Sequence, residues 1–353
     1  MATGNAPPPP SWDPQGPPPG PPPGPPPPWG PPPWGPPPPV PPAPGSGGGR
    51  APGAQRGAFL LSGTLLLVFA VGLIAWLLNG LDQSGARPIH LIEAFFDPTR
   101  QVPERLLTPY EWVFTLALVA VGLLALARRR FARGGALLLA FMLLALCLRQ
   151  GVGALDATYR EGFDHPDYGA WTALTYVGGF AIAVAIVVSL LRAREERRPS
   201  VTLPLGGAAL LVVAGIQVAW VIDRQRILAD FGAFSWGDYF RDLVDPSLLH
   251  SPLSLSGGVS FHEAALLVAA VVVGALAVAN RPAARGAGVV VLAMLVYLEV
   301  REITIRFQLD WWDDSFDSTR GVLDLLTHVV SLPLAVAGLA LLAWPTRGRD
   351  PVR

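Results

Sequence analysis

Eight long apolar runs, at residues 59–80, 111–128, 134–151, 170–191, 202–222, 263–280, 286–306 and 322–344, leave this 353-residue chain few folds to choose from. Each run approaches the ~20 residues that carry a helix across a bilayer, although the second is short. The chain is 51% hydrophobic and only 15% charged, which agrees with that reading. The expected fold is therefore all-α: a polytopic membrane protein of eight transmembrane helices, preceded by a disordered Pro-rich tail.

The apolar part is written twice. Shifting residues 110–177 forward by 152 positions lays Glu111 on Glu263, Gly122 on Gly274, Arg133 on Arg285 and Arg149 on Arg301. The same shift lays Met142 on Met294, Gly169 on Gly321 and Thr175 on Thr327. Only three methionines exist in the chain, so that match does not follow from apolar composition. Shorter offsets pair Ala75-Trp76 with Ala219-Trp220 and Asp97-Pro98 with Asp245-Pro246, a drift that a longer loop in the second copy produces. A period this long describes a duplicated bundle rather than a solenoid. Four helices per copy is an even number, so both copies share one orientation and form two parallel four-helix repeats. The expected divisions are a disordered tail (1–57), a first repeat (58–200), a second repeat (201–346) and a short basic C-terminus (347–353).

Orientation follows from arginine, the only basic residue type besides histidine in this lysine-free chain. Arg128, Arg129, Arg130 and Arg133, then Arg192, Arg194, Arg197 and Arg198, then Arg281 and Arg285 occupy short loops on one side, with Arg347, Arg349 and Arg353. The acidic residues collect on the other side, all but Asp13, Glu195, Glu196 and Asp350. The positive-inside rule makes the arginine side, and with it both termini, cytoplasmic. Arg224 and Arg226, just after the fifth run, count against this without outweighing it. The Ala-, Gly-, Pro- and Arg-rich composition points to a bacterial inner membrane. Residues 7–44 are nearly all Pro and Gly around Trp12, Trp29 and Trp34, and cannot bury a core. They read as a solvated tether or as a docking tail for a cytoplasmic protein with an aromatic groove. A proline tract ahead of the first apolar run does not resemble a signal peptide. The expected partners are thus the lipid bilayer and a cytoplasmic protein, with no nucleic acid.

Absences narrow the chemistry. Without lysine there is no Schiff base and no phosphate-loop lysine. Cys147 stands alone, so no intrachain disulfide forms. No metal-binding, nucleophile-elbow or phosphate-loop motif occurs, and no cofactor is expected. Two outer segments ending in Asp-Pro, 92–98 and 240–246, read as interfacial helices with Phe95, Phe96 and Phe240 toward lipid. The outer loops after the third and seventh runs are acidic, carrying Asp156, Glu161, Asp164, His165 and Asp167 in one and Asp310, Asp313, Asp314 and Asp317 in the other. Solvated turns explain them more simply than a divalent-ion site does.

Charges at the ends of the runs carry more information. Glu111 and Arg149 sit at the outer ends of antiparallel neighbours, where they are expected to form a structural ion pair, with Glu263 and Arg301 repeating it. The copies diverge at one place: Thr172, Thr175 and Tyr176 in the first become Asp324, Thr327 and His328 in the second. Each trio shares a helical face. The second copy also adds Gln217, Glu299, Glu302 and Arg306. Glu263, Glu299, Arg301, Glu302, Asp324, Thr327 and His328 thus form the candidate polar site, in which Asp324 and His328 can share a proton. Three functions suit this sequence: transport or permeation of a small solute through that site, a membrane scaffold or sensor recruiting a partner through the tail, and a lipid-modifying membrane enzyme. The missing catalytic motifs argue against the enzyme.

Overall fold

A computed structural model describes residues 56–84, 109–129, 131–166, 168–192, 200–248, 259–309 and 315–344, with Arg87, Ile89, Glu93 and Phe95 between the first two segments. The Pro-rich tail and its docking role, Phe96 and most of segment 92–98, Asp167, Asp310, Asp313, Asp314 and the C-terminal arginines lie outside the described residues.

The described elements are all helical. In chain order they are α1 (Arg56–Ser84), α2 (Pro109–Leu126), α3 (Ala132–Gly153), α4 (Ala157–Glu161), α5 (Gly169–Leu191), α6 (Thr202–Asp230), α7 (Trp236–Val244), α8 (Val259–Val278), α9 (Ala283–Gln308) and α10 (Thr319–Ala343). Seven of them are long and apolar enough to cross a membrane. The apolar stretch of α2, Tyr110–Leu126, is shorter; at ~1.5 Å per residue it covers roughly 26 Å. These helices are apolar around their whole circumference. Leu66, Leu118, Leu139, Leu143, Leu210 and Leu292 are buried, while Val68, Val71, Leu123, Val177, Val268 and Val336 point outward. A helix with no polar face is suited to a lipid surround, and the chain has the make-up of a multi-pass membrane protein.

Helices α1, α2, α3 and α5 close a ring, each touching the next, and α6, α8, α9 and α10 close a second one. The rings meet through α2, α3, α8 and α9. At the crossing of α3 and α9 the backbones touch: a Cβ on Gly134 would overlap the Ala283 carbonyl oxygen, and one on Gly286 would overlap that of Phe131. Small residues permit such close approach between helices in lipid.

Contacts recur at positions 152 residues apart. Arg133 Nε donates to the Leu190 carbonyl at 3.2 Å, and Arg285 Nε to that of Leu342 at 2.7 Å. Arg128 (φ 56°) turns the chain between α2 and α3, and Asn280 (φ 55°) between α8 and α9. Trp76 Nε1 donates to Thr175 Oγ1 at 2.9 Å, and Trp220 Nε1 to Thr327 Oγ1 at 2.8 Å, with the two tryptophans 144 apart.

Of the expected interfacial helices, α7 is described. Ser235 and Asp238 cap it reciprocally, and the hydrogen bonds from the Ser235 side chain and backbone hold the Asp238 carboxyl below its usual range. Tyr239 and Asp242 face inward, whereas Phe240 and Val244 are exposed. Phe95 differs from its expected place toward lipid. Its ring stacks on Tyr297 with centroids 4.6 Å apart and meets Trp112 edge-on at 6.2 Å. Asp156, in the first acidic loop, caps α4 by accepting from the Tyr159 N–H at 3.0 Å.

Candidate functional site

The helices of the second ring do not fill the space between them at the end away from Arg285. A cavity of about 600 Å³ opens there, and all seven residues of the expected polar site line it. Each helix contributes a short stretch. Helix α8 brings Glu263 from its second turn, α9 brings Glu299, Arg301, Glu302 and Arg306 from its last turns, and α10 brings Asp324, Thr327 and His328 from its first turns. Helix α6 brings Gln217, Trp220 and Arg224, whose spacings of three and four put them on one face. Tyr110 of α2 closes the side toward the other ring.

Most of these charges are already matched. Arg224 pairs with Glu263, and Arg306 with Asp324. Arg320, at the rim, reaches Asp223 at 2.9 Å. His328 stands between two carboxylates, with Nδ1 2.6 Å from Glu299 Oε2 and Nε2 3.7 Å from Asp324 Oδ1. Gln217 Nε2 donates to the other Glu299 oxygen at 2.5 Å. Glu299 and His328 are buried, and a charge there is tolerable only because each faces a partner. The histidine is hydrogen-bonded to Glu299 and lies within ion-pair distance of Asp324. Two neighbours on α9 remain. Among the described residues neither Arg301 nor Glu302 has a hydrogen bond or ion pair, and both side chains border the cavity.

At the matching end of the first ring the corresponding described side chains are buried. Arg149, the counterpart of Arg301, is 3% exposed and takes hold of α7. Its Nε and Nη2 donate to the Asp242 backbone carbonyl at 2.9 and 2.7 Å, and Nη2 lies 3.0 Å from Asp242 Oδ1. The Phe261 ring lies beneath the guanidinium, 5.0 Å from its central carbon. Gln150, the counterpart of Glu302, is buried and accepts from the Tyr159 hydroxyl. Thr172 and Tyr176, the counterparts of Asp324 and His328, are buried as well.

The expected Glu111–Arg149 pair is therefore replaced by two others. Arg149 takes Asp242, and Glu111 takes His262 Nε2 at 2.9 Å. The Glu111–His262 pair crosses from one ring to the other, and the Arg149–Asp242 pair ties the first ring to α7. Similar depth in the membrane, the basis of the expectation, says nothing about which way round the helix axis a side chain points. Glu263 likewise takes Arg224, leaving Arg301 alone. Sequence reasoning missed Tyr110, Trp220, Arg224, Ser318 and Arg320 as lining residues. A signal for two of them was present: Gln217, Trp220 and Arg224 repeat at helical spacing past the end of the apolar run, and α6 continues to Asp230. Pro333 lies within α10 without ending it. No three His, Cys, Asp or Glu side chains among the described residues converge on a metal site.

Comparison with protein-family models, curated proteins and solved structures gives no match for this chain.

Proposed function

We propose that this protein carries a small polar solute across, or into, the membrane, and that the cavity of the second ring is its binding site. The observation that supports this reading is a cavity of about 600 Å³ whose walls bear charges of both signs on helices apolar enough for lipid. That volume falls within the usual range for small-ligand sites, and ionisable groups at membrane depth mark solute and proton pathways. Glu299, His328 and Asp324 supply a proton relay on the wall, which suits coupling of solute movement to protons.

The wider frame of the proposal is an eight-span bundle in a bacterial inner membrane, made of two parallel four-helix repeats with both termini cytoplasmic. Recurrence of the Arg133 and Arg285 contacts supports the repeats, and the grouping of loop arginines supports the orientation. In that frame the cavity faces outward. Duplication has left one half structural and the other working.

Comparative metabolite profiling of cells and medium tests the assignment in a strain lacking the protein. Re-expression of the wild type should restore uptake of a restricted set of small solutes. Asp324→Asn and His328→Gln, which remove titration while nearly preserving shape, should leave uptake near the background of the deletion strain. Thr172→Val and Tyr176→Phe, at the matching positions of the first ring, should behave as wild type. Equal effects of the two pairs of changes, or full restoration by Asp324→Asn and His328→Gln, would remove the basis for the proposal.

A further inference from the structure

The chemistry of the solute can be read from what the cavity leaves unmatched. Its wall holds four arginines (Arg224, Arg301, Arg306, Arg320) and four carboxylates (Glu263, Glu299, Glu302, Asp324), beside His328. Three of the arginines and three of the carboxylates are engaged, as described above. Among the described residues one cation of the wall, Arg301, and one anion, Glu302, remain without a hydrogen bond or ion pair, adjacent in sequence and both bordering the empty space. The half-buried Arg301 carries a cost without a partner, which a ligand that brings an anion removes, and the exposed Glu302 presents its charge to the same ligand.

The first ring indicates what belongs on Arg301. At the same position Arg149 holds a carboxylate together with a backbone carbonyl, both from Asp242. Under the register that aligns the two Asp-Pro sequences, the residue matching Asp242 is Ala94, so the chain has an aspartate for one arginine and none for the other. Gln150, uncharged, stands where Glu302 stands, and is filled by Tyr159. The half that is closed by the protein's own carboxylate thus lacks the acidic neighbour, and the half that is open has it.

We propose that the cavity binds a small zwitterion, an amino acid or short peptide, with its carboxylate on Arg301 and its ammonium on Glu302. The proposal rests on the reading of this cavity as a solute site. Equal numbers of arginines and carboxylates on the wall favour a ligand with no net charge over a simple anion or cation. The carbonyl accepted by Arg149 alongside the carboxylate has its equivalent in the amide carbonyl of a peptide. A volume of about 600 Å³ leaves room for a peptide of a few residues.

Isothermal titration of the full-length protein in lipid nanodiscs, with the free amino acids and with di- and tripeptides, distinguishes the two sources of this chemistry. At least one class should bind. Acetylating the amine of the best binder, or converting its carboxylate to an amide, should each weaken binding by at least about tenfold, the effect of losing one charged hydrogen-bonding group. Arg301→Gln should bind the native ligand and its amide with similar, weak affinity, and Glu302→Gln should do the same for the native and acetylated forms. Among the described residues neither Arg301 nor Glu302 makes a hydrogen bond or ion pair, so both variants should keep a thermal midpoint close to that of the wild type. Blocked forms that bind as well as the free ligand would overturn the proposal, as would binding by none of these probes. If acetate or inorganic phosphate alone binds in an Arg301-dependent way, the zwitterion is wrong and the solute site stands. If Asp324→Asn and His328→Gln also leave uptake intact, the site itself is wrong.

Discussion

Asp242→Ala should destabilise the protein by about 3 kcal/mol or more, the scale on which a buried ion pair fails when one partner is removed. Arg149 and Asp242 are 3% and 1% exposed, so the guanidinium left behind has no water to turn to. Its two bonds to the residue 242 carbonyl persist in the variant, but a neutral carbonyl does not replace a carboxylate. Arg149 Nη1 already has no hydrogen-bond partner, which leaves no reserve to absorb the loss. Asp242→Asn keeps the Oδ1 acceptor and loses the charge, and should fall between wild type and alanine. The double change Arg149→Leu with Asp242→Leu removes both charges and should recover most of the stability, because apolar replacements of buried ion pairs are often neutral or better. The check is the unfolding midpoint in detergent. An Asp242→Ala protein as stable as wild type would mean that α7 is not held as described.

The second large effect concerns the crossing of α3 and α9. Gly286→Val should cost about 3 kcal/mol or more and reduce folded yield sharply, and Gly134→Val should match it. A Cβ at either position meets backbone, the Phe131 or the Ala283 carbonyl oxygen, which cannot rotate aside as a side chain can. The two helices must separate, and the contacts between the rings separate with them. Gly178→Ala and Gly215→Ala are the controls, since a Cβ there meets nothing within 4 Å. They should be neutral or slightly stabilising, by the usual preference of a helix for alanine over glycine. Thermal midpoints and size-exclusion profiles of the four variants measure the difference. Similar behaviour in all four would contradict the close crossing.

How far the sequence could be read depends on what kind of contact is asked about. The helices lie where the apolar runs place them, because in lipid a run of apolar residues has little else to become. Glu299, Asp324 and His328 were expected together because the spacings of three and four residues are geometric, and because the two copies differ there. Arg149 shows the limit. Its partner lies 93 residues away on the short helix α7, and nothing in the pattern of α3 points to α7. Arg224 shows a second limit. Hydropathy ends the fifth run near 222, where charges begin, but the helix continues because Glu263 and Arg320 supply partners for Arg224 and Asp223. Tyr110 and His262, at matching positions of the two copies, stack on each other with ring planes 10° apart. An alignment of the copies contains that equivalence but not the contact.

Under the proposed function, one half carries an open, water-reachable site and the other half the same site closed. Positions 302 and 150 match in the two copies, and the claim gives them opposite surroundings. In a Cys147→Ala background, the thiol introduced by Glu302→Cys should react with a small membrane-impermeant reagent added outside intact cells. The thiol introduced by Gln150→Cys should stay unmodified until the protein is unfolded. Modification at 302 and protection at 150 is the predicted result; equal reactivity at the two positions, or protection at both, would contradict the account.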